Sequence, residues 1–207
     1  MLISRPKKRP DPTLFGPAMN TVISILRDRF TSAVLDTVEF RGEHTLIVEQ
    51  AKAREILRYC RDELGFDYLI DITSLDHLGE EPRWEMVYEL YALGNGARHH
   101  LRIKYKLPEG TKADSVSTIW PTAGWHEREA YDMMGIEFEG LADHRRILMW
   151  EGYPYFPLRK DFPLAGRPSD MPDVAFTDRA PLAGGPFVTS PTSAATPHRE
   201  PRSREMD

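Results

Sequence analysis

The stretch RWEMVYELYALGNGARHHLRIKYKL, Arg83 to Leu107, decides the fold. Its second half alternates. His100, Arg102, Lys104 and Lys106 fall on one side, and Leu101, Ile103, Tyr105 and Leu107 on the other. A period of two marks a strand with one covered face. The first half is rich in aromatic and β-branched residues, and the GNG between the halves suits a hairpin loop. Upstream, FDYLIDITSLDH (Phe66–His77) has the same composition and is set off by GEEP. Three such runs joined by short turns predict an antiparallel meander.

The N-terminal part supplies what should cover that meander. PAMNTVISILRDRF (Pro17–Phe30) reads as a helix, with Pro17 suited to its first turn. AVLDTVEF and TLIVE read as two short strands around the turn-like RGEH. A second helix runs from about Gln50 to Leu64 and stops at Gly65, a natural residue to follow a helix end. Helices on one face of a mainly antiparallel sheet give an α+β two-layer domain, expected over residues 17–164. Residues 1–16 form a basic, Pro-rich arm. They lack the apolar stretch of a secretory signal, and their prolines argue against an amphipathic transit helix. From Ala165 to Asp207 the chain is rich in proline and small residues and poor in large apolar ones. That composition predicts an extended or disordered tail that orders only along a partner.

Composition narrows the function classes. The net charge of −5 gives no sign of a nucleic-acid binder. No apolar run approaches the roughly 20 residues needed to cross a bilayer, so membrane association is expected through partners only. The single cysteine, Cys60, excludes an internal disulfide and a self-contained iron–sulfur site. Its helical surroundings make it a small core residue.

The motifs that resemble cofactor or metal sites fail on inspection. WHEREAYD begins like the zinc motif H-E-x-x-H, with His126 and Glu127, but the second histidine position holds Ala130. GNGARH begins like a dinucleotide fingerprint, but its third glycine position holds His99, and it joins two strands. His99 and His100 are adjacent in a strand, so one is expected exposed and the other packed.

The charged helix remains. At 100° per residue, Glu127, Arg128 and Glu129 span 200° of its surface, so docking it turns some charge towards protein. Arg128 also precedes Asp132 by one turn, as an i,i+4 pair. A buried carboxylate needs a cation or several hydrogen bonds. Arg145 and Arg146 in DHRRILMW, and Arg159 and Lys160 in PLRKDFP, are the candidate cations; Asp161 completes that second motif. Acid–base chemistry by paired carboxylates and a structural ion-pair seam both fit these residues. With no nucleophile, metal set or cofactor loop beside them, the seam is the preferred reading, and no residue is assigned a catalytic role.

The run VSTIWPTAGWHEREAYDMMGIEFEG, followed by DHRRILM and PLRKDFPL, resembles the C-subunit family of bacterial NADH-quinone oxidoreductase, respiratory complex I. Phe66–Asp76 and Trp84–Leu90 are similar to it as well, so the likeness covers about half the chain, Phe66 to Leu164. Two places depart from the family pattern. Leu141-Ala142 stands where it has His-Pro, and Phe156 stands where it has a histidine before Pro157. The resemblance implies a cofactor-free member of the peripheral arm on the cytoplasmic side of the cell membrane, within a proton-translocating enzyme. Flavin, iron–sulfur clusters, NADH and quinone would belong to partner subunits. The expected neighbours are the large subunit of the quinone chamber and the small subunit that holds the terminal iron–sulfur cluster. Glu127, Arg128, Glu129, Asp132, Arg145, Arg146, Arg159, Lys160 and Asp161 would brace the subunit or meet a neighbour. Two alternatives stay open: the equivalent subunit of a membrane-bound hydrogenase or other quinone-reducing complex, and a stand-alone hydrolase using Glu127, Glu129 or Asp132.

Overall fold

The computed structural model describes residues 19–93 and 99–163. The basic arm, Pro17, the GNG loop and the tail lie outside the described residues. The elements, in order, are α1 (Met19–Arg29), β1 (Val34–Phe40), β2 (Glu43–Val48), α2 (Gln50–Asp62), β3 (Tyr68–Asp76), β4 (Trp84–Ala92), β5 (His99–Leu107), β6 (Ala113–Asp114), α3 (Ala123–Met134) and β7 (Phe138–Glu139).

The expected alternation is present in β5. Leu101, Ile103, Tyr105 and Leu107 are buried, and they face Leu90, Tyr88, Met86 and Trp84 of antiparallel β4. These residues form the inner face of the sheet. Leu69 and Ile72 of β3 join it even though they are three apart. A bulge between Leu69 and Asp71 resets the alternation of that strand. On the outer face, Glu85 pairs with His77 and Lys104, and Glu89 pairs with His100 and Arg102. Those contacts leave His100 half-buried rather than exposed, and His99 is half-buried too.

The helices cover the inner face. Ala53, Ile56, Leu57 and Cys60 form the buried stripe of α2, at spacings of three, four and seven. Val22, Ile23 and Leu26 do the same for α1. Fully burying a leucine or isoleucine contributes about 1.5–3 kcal/mol each, so this stripe against β5 is a principal source of stability. The β1–β2 turn has positive φ at both Arg41 (54°) and Gly42 (79°), as a two-residue hairpin loop of this twist requires.

The sheet order is β1-β2-β5-β4-β3. Every pairing is antiparallel except β2–β5, which is parallel, with Leu46 opposite Ile103. The fold is therefore α+β with a mixed sheet. The parallel joint has no local signal, because it depends on how far α2 carries the chain before the meander returns.

After β5 the chain forms the framework of the candidate site. β6 and β7 make a short parallel ribbon on either side of α3. α3 ends at Gly135 with φ of 75°, whose N–H donates to the Tyr131 carbonyl at 2.8 Å. Residues 141–163 then fold back over α3.

Candidate functional site: a charged seam

The seam is a set of buried carboxylates that hold irregular chain onto α3 and the sheet. Asp132 is fully buried. Its Oδ1 accepts Arg146 Nη1 at 2.6 Å, and its Oδ2 accepts the backbone N–H groups of Ile147, Leu148 and Met149 at 3.0, 2.7 and 2.8 Å. One side chain thus orders three successive peptides that no helix or strand satisfies. The Arg146 guanidinium lies within about 6 Å of the rings of Tyr131, Tyr153 and Phe156.

Arg128 does not pair with Asp132. Its Nε and Nη2 donate to the backbone carbonyls of Arg145 and Arg146 at 2.9 and 3.0 Å, and its guanidinium sits 5.3 Å from the Trp125 ring. The reason lies with Asp132: its acceptors are already filled by Arg146 and three N–H groups, while the returning loop offers bare carbonyls. Arg145 is exposed and closes on Asp143 at 2.8 Å.

Glu127 is also fully buried, but without a salt bridge among the described residues. Ser115 Oγ and the Val116 N–H both donate to it at 2.7 Å. Burial pushes its carboxyl pKa up, against the opposing pull of those two donors and of the Arg54 charge. Glu129 is exposed and stands apart from the lattice. His126, the one histidine of the failed zinc motif, approaches Asp71 at 3.0 Å.

A second lattice lies at the Asp76 end of the β3–β4 hairpin. Arg83 is buried and makes a two-pronged contact with Asp76, at 2.8 and 2.9 Å. It also reaches Glu109 at 2.9 Å and Asp161 at 3.0 Å. The Lys160 N–H donates to Asp76 Oδ2 at 2.8 Å, and the lysine charge adds a weaker pull on the same carboxyl. The Arg83 guanidinium beside Asp76 holds that carboxyl below its ordinary value, against the effect of burial. Arg159 donates to the Met134 carbonyl at 2.6 Å and lies 5.4 Å from the Trp84 ring and 4.5 Å from Phe156. The Phe156 ring therefore takes the guanidinium of Arg146 at 5.1 Å as well as that of Arg159.

Of the nine residues singled out in the sequence, seven fall in two groups and two stand outside both. Arg128, Asp132, Arg145 and Arg146 surround the returning loop. Arg159, Lys160 and Asp161 join the hairpin end, Glu127 works alone against Ser115, and Glu129 joins neither. Asp76 and Arg83 were missed. Their signal was present: two opposite charges flanking a predicted hairpin turn meet when the hairpin closes. Chemically, Asp132 accepts four donors and Asp76 three, an arrangement that holds chain in place.

Among the described residues no group of three or more His, Cys, Asp or Glu is arranged to hold a metal ion, and no helix is long and apolar enough to cross a membrane. Residues 46–168 match the family described as the respiratory-chain NADH dehydrogenase 30 Kd subunit. The chain is 43% identical over 148 residues to the C subunit of NADH-quinone oxidoreductase from Geotalea uraniireducens (strain Rf4), covering 71% of this chain and 89% of that one. It is 44% identical over 149 residues to the C subunit from Geobacter metallireducens (strain ATCC 53774 / DSM 7210 / GS-15), covering 71% and 91%. The C 2 subunit from Rhizobium meliloti (strain 1021) is 43% identical over 163 residues, covering 72% and 88%. Among solved structures, a chain of the membrane-bound sulfane sulfur reductase, an archaeal respiratory membrane complex, shares the fold with a TM-score of 0.57 at 24% identity, over 70% of this chain and 86% of that one. With more than half its length matched, and with relatives above 40% identity, this chain belongs to the 30 kDa subunit family of the respiratory-chain NADH dehydrogenase, the C subunits of NADH-quinone oxidoreductase.

Proposed function

We propose that this chain is a cofactor-free structural subunit of the peripheral arm of a proton-translocating NADH-quinone oxidoreductase. It braces the subunits around the quinone site while electrons pass through flavin and iron–sulfur clusters held elsewhere. Its neighbours are the large quinone-chamber subunit and the subunit with the terminal cluster, and it reaches the cytoplasmic face of the membrane through them. The domain of residues 17–164 is the brace.

One observation carries this reading. Asp132 and Asp76, the acids most enclosed by charge, are filled with donors from the segments they hold, in the manner of structural ion lattices. The relatives' names favour NADH as the source of electrons.

The test is a native pull-down of the full chain from solubilised membranes. Partners are identified, and NADH oxidation and quinone reduction are measured per assembled complex. Asp132→Asn should lower the amount of complex and leave turnover per complex near wild type. Full assembly with quinone reduction abolished would mean that a catalytic charge has been mistaken for a structural one. Partners that accept electrons from hydrogen or another donor would move the chain to the alternative complex.

A further inference from the structure

Arg159 stands out among the seam's cations. Arg83 has three carboxylates within 3.0 Å, and Arg146 has Asp132. Arg159 has no carboxylate within 4.0 Å among the described residues; it donates instead to a backbone carbonyl, at the C-terminal end of α3. It is wedged between the Trp84 and Phe156 rings, and Gly135 lies so close that a Cβ there would collide with its guanidinium. The cation is therefore held in one place without a direct ion pair to any described residue.

It also faces open space. A cleft of about 270 Å³ lies between the β5–β6 connection, the end of α3 and the returning chain, lined by Trp84, Glu109, Lys112, Gly135, Glu137 and Arg159 among others. Two of those lining residues are acidic, and each has an ion pair: Glu109 with Arg83 at 2.9 Å, and Glu137 with Lys112 at 2.8 Å. Among the charged residues of the lining, Arg159 alone makes no direct ion pair to a described residue. Burial first, and then repulsion from Arg83, pull the Arg159 pKa below its ordinary value, which outweighs the nearby carboxylates. An incoming anion would favour the charged guanidinium against both effects.

We infer that the cleft is a socket for an acidic side chain of a neighbouring subunit, whose carboxylate pairs with the preset Arg159 guanidinium over the aromatic floor formed by Trp84. The volume suits a carboxylate with its aliphatic stem, and a guanidinium fork suits a carboxylate's two oxygens. This deepens the proposed bracing role and rests on it: a preordered cation costs little to immobilise when the partner arrives.

The experiment uses the full chain, alone and in the complex captured from membranes. Phenylglyoxal modification of Arg159, followed by peptide mass spectrometry, should be at least tenfold slower in the complex than in the isolated chain. Exposed Arg58 serves as the internal reference. In an Arg159→Lys complex, a carbodiimide should join the new amine to an Asp or Glu of a second subunit. That product should be absent from the wild type and from Arg159→Gln. If the lysine variant does not assemble, the phenylglyoxal comparison on the unmodified complex still decides. Equal modification in both states, or carbodiimide products within this chain only, would overturn the socket. So would protection of the isolated chain by millimolar inorganic phosphate with none added by assembly, which would assign the cleft to a free anion. Failure to capture any partner would overturn the proposed function itself, and that result is read before any modification is measured.

Discussion

Arg146 holds Asp132 at two points: its Nη1 reaches the carboxylate at 2.6 Å and the backbone carbonyl of the same residue at 3.0 Å. The pair fastens the returning chain to the last turns of α3. Breaking a buried pair from one side costs about 3–5 kcal/mol, because the remaining charge is stranded. Asp132→Ala should therefore lower the unfolding free energy by about that much, and it also releases three backbone N–H groups. In a double-mutant cycle, Asp132→Asn combined with Arg146→Gln should cost clearly less than the sum of the two single changes. Denaturant unfolding measures both, and strict additivity would show that the two residues do not act as a pair.

Arg128 acts on backbone, so its loss should be local. Hydrogen bonds to a charged donor contribute about 1.5–3 kcal/mol. Arg128→Ala should destabilise by about 2 kcal/mol and loosen the loop at Arg145 and Arg146. Trypsin cleavage after those two arginines should become faster than cleavage elsewhere in the chain. Unchanged cleavage at that loop would remove Arg128 from the brace.

Glu127 gives a pH dependence of definite sign. Its pKa in the folded chain is raised above the ordinary 4.5, so the folded state holds this proton more tightly than the unfolded state does. Its contribution is present in full below 4.5 and is lost as pH rises through the raised value. Asp76 works in the opposite sense. Its folded pKa lies below the ordinary 3.8, so its contribution is present above that value and is lost as pH falls through the depressed one. The stability of Glu127→Gln relative to wild type should therefore rise with pH above 4.5. A stability difference that stays flat between pH about 4 and 8 would contradict the burial of an uncompensated carboxyl.

Gly135 occupies the left-handed region, and a Cβ there would come within 2.8 Å of the Phe156 ring as well as striking Arg159. Strain in that region costs a non-glycine residue about 1–3 kcal/mol. Gly135→Ala should destabilise by at least that amount, and combining it with Arg159→Gln should recover part of the loss. Thermal unfolding of the two single variants and the double variant checks this. A neutral alanine would show that the α3 terminus rearranges freely.

Much of the layout was legible in the residues. The period of two in His100–Leu107 gave the inner and outer faces of β5, and the helical surroundings of Cys60 gave α2 and put that cysteine in the core. Charge composition pointed to a seam because carboxylates and arginines advertise themselves by residue type. What they grip does not. Arg128 binds two carbonyls, and Asp132 binds three peptide N–H groups, and every residue outside proline has both. No residue type marks which of those groups secondary structure will leave unsatisfied. The bulge in β3 was equally silent, since Ile70 looks like any strand residue until the pairing with β4 is known. The parallel β2–β5 joint depended on distant chain and could not be read locally.

That joint has a consequence for the order of synthesis. β5 is the middle strand of the sheet and the last of the five to be made. β2 has no neighbour but β1 until β5 arrives, about sixty residues later, which at ordinary elongation rates is roughly three to twelve seconds. Through that interval the inner side of Leu46 and Val48 can be sheltered only by the helices made around them. The ribosome thus completes the two halves of the sheet separately, and the strand that unites them emerges last.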